Sequence, residues 1–358
     1  MSTVVRIPEK LLATLFVVFP SRTSSQELTL LSITRLMFQM GTSLSRTLAV
    51  FACLTFATCT TAFAQLGGLG GLGDKLKKKT PNLLGDKAPI TTSLPDAKWG
   101  DSSKDGFTPR EPERSLMTLQ RTPNGGFVLQ PGYYAFQDQS YCLKAGTHGP
   151  GGGDGYLYAP PKGPAEDAVM TIVRNSVNHP EIHQHDIQVL LWAIIARAKF
   201  EDLQAELKAV ASRLLTPRQL ASLNRSALDA LSGNALTDAL GGVPEPLRQI
   251  AQAEAQLRQM MTTPGASFAE MERVAVLSGN APLGPGSQDV PSGRWSIHPD
   301  GYYVRYLPSG YSSTRVEIWV PQGSPAVGKE YDPATHIAVP GNTARQRLIQ
   351  SGRSQQAQ

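Results

Sequence analysis

The sequence predicts an α+β fold: a mixed α/β core over 116–200, a helical segment over 201–280 and a small C-terminal antiparallel β module over 294–340. Three observations carry that expectation. Short β-rich runs punctuated by glycine and proline lie at both ends of this region. Between them, Ile187 to about Phe200 is apolar nearly all round, as a central helix is. From 200 to 280 the pattern is helical, with Leu203, Leu207 and Val210 sharing one face.

The N-terminal part has a different character. Met40 opens a short polar stretch with Arg46, an apolar run follows from Leu48 to Ala57, and Ala62-Phe63-Ala64 forms an A-x-A site before Gln65. The run is short for a bilayer span. Residues 40–64 therefore read as a signal peptide, and 1–39 as an extension upstream of a natural start at Met37 or Met40. The expected destination is the periplasm, the outer surface or the medium. A membrane anchor over Leu11–Phe19 is a rival reading, cut off by Pro20 after nine apolar residues. Lipid modification of Cys53 or Cys59 is another, although neither has a small-residue context.

Of the 34 basic and 29 acidic residues, 5 and 2 precede Gln65, leaving 29 against 27 and a formal charge of +2. Such a balance offers no concentrated basic face for nucleic acid. Removing the signal also removes Cys53 and Cys59. Cys142 is left alone and unable to form an intramolecular disulfide. Burial as a small hydrophobe is one fate for such a residue, and reaction is another.

Residues 65–115 read as an unstructured linker: Leu66–Gly73 is a Leu-Gly-Gly repeat, Lys75 and Lys77–Lys79 form a charge cluster, and proline and serine follow. Gly126–Leu129 and Gly132–Phe136 then read as strands split by Gln130-Pro131, with Ser140–Leu143 as a further strand. A glycine-rich loop over 149–155 precedes Tyr156-Leu157-Tyr158. It is no phosphate loop, because no Lys-Ser/Thr follows and a strand-like segment comes next. Pro164, Glu166 and Asp167 open a helix carrying Val169, Ile172, Val173 and Val177, and Asp186 caps the apolar helix after it. Thr216-Pro217 restarts a helix, and Pro244–Met261 and Ser267–Leu277 follow. Residues 281–293 read as a linker. Arg294–Ile297, Tyr302–Leu307 and Arg315–Val320 make the β module, and the chain after Gly341 reads as a loose polar tail.

Gln188 stands in the first turn of the apolar helix, where both ends of its amide need partners. Trp192, four residues on, shares its face. A polar amide thus lies under an aromatic lid. With Tyr141-Cys142, the run Gln188-Val189-Leu190-Leu191-Trp192 resembles the bacterial thioester domains of surface adhesins over about 116–200. It departs from their Gln motif at Ile187 and Leu190.

That resemblance implies an internal Cys142–Gln188 thioester, formed with loss of ammonia and opened once by an amine of a protein or cell-surface molecule. It implies Tyr141 and Trp192 as shields against water, and His148, His183 or His185 as proton acceptor. The chain would then be a single-use covalent binder without a cofactor, serving adhesion, rather than a turnover enzyme. Other readings remain. One is a non-catalytic envelope protein with a buried inert cysteine. A second is a Cys–His hydrolase using Cys142 and a histidine of 179–185. A third is a zinc site from His179, His183 and His185, with Glu181 or Asp186.

Overall fold

The computed structural model describes residues 88–354 except 152, 229–232 and 246. The chain divides into two units, Met1–Ala64 and Gln65–Gln358, and every described residue belongs to the second. The signal peptide, Cys53, Cys59 and the Leu-Gly-Gly repeat lie outside the described residues.

Among the described residues, twelve strands run in chain order: β1 Glu113–Ser115, β2 Phe127–Val128, β3 Gly132–Cys142, β4 Thr147–His148, β5 Tyr156–Ala159, β6 Val276–Leu277, β7 Ser296–Ile297, β8 Tyr303–Pro308, β9 Ser313–Val320, β10 Glu330–Tyr331, β11 Ile337–Pro340 and β12 Leu348–Ser354. The helices are α1 Glu166–Ser176, α2 Gln184–Ile195, α3 Ala205–Leu214, α4 Pro217–Arg225, α5 Gly233–Leu240, α6 Leu247–Thr262 and α7 Phe268–Ala275. The α+β class is thus observed, and among the described residues the seven α-helices lie between β5 and β6.

The main sheet has the order β5-β11-β12-β3-β9-β8-β7, antiparallel throughout, with β1 added in parallel to β3. Its two ends approach each other. The Tyr158 N–H donates to Ser296 Oγ at 3.0 Å, so β5 meets β7 and the sheet is nearly a barrel. Strand β3 explains this arrangement. Ten of its eleven residues are buried, as expected of a strand paired along both edges. The two short strands expected at 132–136 and 140–143 are therefore one.

Three expectations are corrected. The β module over 294–340 is not separate, because β9 pairs with β3 from Gly132↔Val320 to Gln139↔Ser313. The tail is not loose: β12 pairs with β3 at Leu348↔Cys142 and Ile349↔Tyr141. Local patterning cannot disclose pairings between segments so distant in sequence. The segment 88–115 is ordered as well, with Ile90, Leu94 and Ala97 buried in the core.

β12 reads as polar because it serves a buried bulge. Its register against β3 shifts between Gln350 and Ser354. There the Asp138 carboxylate replaces a strand partner, accepting from Ser351 N–H at 3.3 Å and Gly352 N–H at 2.9 Å. Gly352 takes φ +74° at this point, a conformation that glycine adopts without steric cost. Burial pushes the Asp138 carboxyl up to about 7 against those hydrogen bonds.

Helix α2 is buried from Ile187 to Ile195, as its all-round apolar sequence predicts. Its start is His183 as N-cap rather than Asp186, and it stops five residues before Phe200. The stop is a Schellman closure: Ala198 N–H donates to Ala193 O at 2.9 Å and Arg197 N–H to Ile194 O at 3.0 Å. Arg197 takes φ +54°, the only positive φ among described residues other than glycine.

Candidate functional site

Helix α2 crosses the end of β3 at a point where the sheet is incomplete. Residues 140 and 142 present their backbone groups toward β9, but the β3–β9 pairing ends at Gln139↔Ser313. Two glutamines of α2 take over. Gln184 Nε2 donates to Ser140 O at 3.2 Å and Ser312 O at 2.6 Å. One turn later, Gln188 Oε1 accepts the Cys142 N–H at 2.8 Å while Gln188 Nε2 donates to Cys142 O at 3.2 Å. The geometry suits this: four helical residues rise about 6 Å and two strand residues about 6.8 Å, so side chains at i and i+4 meet alternate strand positions. Gln188 thus meets both ends of its amide on the residue that carries the thiol.

Cys142 is fully buried and is the free cysteine among the described residues. Burial, and then the negative charge of Glu272, hold its thiol well above the usual range. A protonated, buried thiol is not the lowered-pKa nucleophile that a Cys–His hydrolase requires.

The lid is aromatic and larger than the sequence suggested. Trp192 is fully buried and stacks on Phe268 of α7, with centroids 5.7 Å apart and planes at 21°. Tyr311, in the β8–β9 turn, approaches Trp192 at 6.5 Å. Outside them, His185 stacks on Phe268 at 3.9 Å and 8°. The Trp192 Nε1–H is buried without a hydrogen-bond partner among the described residues. Phe268 and Tyr311 went unseen because each is a single aromatic in a polar stretch, distant from Gln188 in sequence.

The expected auxiliary residues divide. Trp192 covers Gln188 from its own helix face. Tyr141 does not share that role: alternation along β3 turns it to the face opposite Cys142, where its hydroxyl donates to Gln139 Oε1 at 3.2 Å. The tyrosines close enough to feel charge on Cys142 are Tyr156 and Tyr311.

The three histidines do not converge. His148 is held in β4, and burial and Arg345 lower its pKa. His183 is the exposed N-cap of α2, and His185 lies outside the lid. His179 pairs with Glu181 at 3.0 Å. Among the described residues no group of three or more His, Cys, Asp or Glu side chains is placed to hold a metal, so the zinc alternative over His179, His183 and His185 is not assembled. No described helix is long and apolar enough to cross a membrane.

The turn after Cys142 is built by glycine. Gly146 takes φ +66°, and a Cβ there would come within 2.9 Å of Ala253 and 3.0 Å of Gln249 O on α6. In the glycine-rich loop, Asp154 Oδ2 accepts the Gly151 N–H at 2.7 Å and pairs with Arg345 at 2.8 Å, which fits a structural turn. Comparison with protein families, with curated proteins and with solved structures finds no match for the chain.

Proposed function

We propose that this is an exported envelope or surface binding protein in which Cys142 and Gln188 condense to an internal thioester and join the protein covalently to an amine-bearing protein or cell-surface molecule. On this reading the sheet and α2 form a core like that of bacterial thioester domains, with α3–α7 as its helical cover. Export rests on the signal pattern ending at Ala64.

One observation carries the reading. The amide of Gln188 lies against Cys142 from 46 residues away, buried beneath Trp192. In the condensation the sulfur bonds to the Gln188 side-chain carbonyl carbon. The carbon–nitrogen bond breaks, and ammonia leaves with the thiol proton. A partner amine then attacks the same carbon, an amide forms, and the thiol is regenerated. Exclusion of water by the Trp192–Phe268–Tyr311 lid protects the acyl group from hydrolysis.

A second reading is an inert envelope protein of the same fold. It draws on the amide being satisfied at both ends by backbone and on the thiol being held protonated. Incubation of folded protein with a fluorescent primary amine separates the two. The thioester reading expects one label on Gln188, with a thiol newly open to alkylation and no label on Cys142→Ala. Absence of label on the wild type supports the inert reading instead.

A further inference from the structure

Proton transfer in this chemistry needs a group that reaches both a buried thiol and solvent, and none of the histidines is so placed. Helix α7 offers another arrangement. A capping box starts it, with Ser267 N–H donating to Glu270 Oε2 at 2.9 Å. Its other end is tied beside the chain that leaves Cys142: Ala275 O accepts from Gly146 N–H at 2.9 Å and Gln346 Nε2 at 3.1 Å, and Val276 pairs with Thr147. Phe268 and Glu272, one turn apart, share a face of this fixed helix. Phe268 covers Trp192.

Glu272 accepts a hydrogen bond from the Tyr311 hydroxyl. Tyr311 is anchored in turn to the strand of the thiol, because its carbonyl accepts from Ser140 Oγ at 2.8 Å. Glu272 and Tyr311 are each half-buried, whereas Cys142 and Gln188 are buried.

We infer that Glu272, aimed by Tyr311, is the acid–base group of the Cys142–Gln188 site and links the buried thiol to solvent at the rim of the aromatic lid. This rests on the thioester reading. In condensation the Glu272 carboxylate takes the thiol proton as sulfur bonds to the Gln188 carbonyl carbon, and returns it to the departing nitrogen, which leaves as ammonia. In aminolysis it takes a proton from the attacking amine and delivers it to the sulfur as the carbon–sulfur bond breaks. Tyr311 stays a donor throughout, since burial and its bond to Glu272 push its phenol up. It aims the carboxylate and is a positioning residue.

The test is the rate of methylamine incorporation by the full folded chain across pH 5–9, beside intact mass and melting temperature. Glu272→Gln is expected to slow incorporation about 100-fold at unchanged melting temperature. Glu272→Asp should recover part of the rate. Tyr311→Phe, which removes one hydroxyl, should slow it less and shift the profile. A wild-type rate and profile in both Glu272→Gln and Tyr311→Phe overturns the inference while leaving the thioester reading intact. A wild type that neither lacks ammonia nor takes up methylamine overturns both.

Discussion

Two polar clusters, at Cys142–Gln188 and at His298–His336, are satisfied in different ways. In the second, two hydrogen-bonded histidine–tyrosine pairs, each anchored on a backbone group, pack ring against ring. Asp332 O can only accept, so the 2.8 Å contact places the proton on His336 Nδ1, and His336 Nε2 accepts from Tyr302 at 2.6 Å. The Asp300 N–H donates to His298 Nδ1 at 3.1 Å, which leaves His298 Nε2–H to donate to Tyr158 at 3.1 Å. Every ring nitrogen has a role, and the cluster packs Tyr158 of β5 against the residues that lead into β8 and β11. At Cys142 the amide is satisfied by the backbone of the residue bearing the thiol, while the Trp192 Nε1–H has no partner among the described residues and burial, with the negative charge of Glu272, raises the thiol. A network satisfied at every ring nitrogen stabilises. On the thioester reading, the Cys142–Gln188 pair is instead an electrophile beside a nucleophile, placed to react.

Substitutions should separate the two. Gln188→Leu removes the electrophile and leaves the Cys142 N–H and C=O unpaired. Amine labelling is expected to vanish, and unfolding in urea should show a loss of about 2–4 kcal/mol. His336→Phe should cost about 1–3 kcal/mol by orphaning the Tyr302 hydroxyl, with labelling per folded molecule unchanged. Labelling that falls equally in both variants would erase the distinction.

The clusters should also differ in acid. Burial pushes His298 down to about 4 and holds His336 well below its ordinary value. An unfolded chain protonates both near 6.5, so between that pH and about 4 it binds more protons than the folded chain. Their contribution is complete above 6.5 and is lost as pH falls toward 4. Asp138 has the opposite sign. Its carboxyl is raised to about 7, so its contribution is present below the unfolded value near 4 and is lost as pH rises through 7. Urea midpoints from pH 4 to 7 should rise more steeply in Asp138→Asn than in the wild type, and less steeply in His298→Phe/His336→Phe.

Trp192→Phe tests the lid with a smaller expected effect. A loss of about 1–2 kcal/mol should accompany faster loss of amine reactivity in water, read as the half-life of labelling competence.

Much of the site was legible because it lies in a short, strongly patterned helix. The Gln188–Trp192 spacing, the all-round apolarity of α2 and the isolation of Cys142 are local facts. What was missed is long-range. β12 looked like a tail because Gln350, Ser351 and Gly352 are polar or small, yet they are buried against Asp138 across more than two hundred residues. Phe268, Glu272 and Tyr311 carry no motif, and only the packing of α7 and the β8–β9 turn brings them to the site. The histidines misled for a related reason: their crowding in sequence over 179–185 put His183 and His185 on the exposed first turn of α2, not beside the thiol.

The intact mass of the protein, purified without amines and kept folded, tests the central claim most directly. The account predicts a wild type lighter than its sequence by one ammonia, with Cys142→Ala and Gln188→Ala at full sequence mass. A wild type at full mass, with a Cys142 thiol that alkylates once the protein is unfolded, would contradict it.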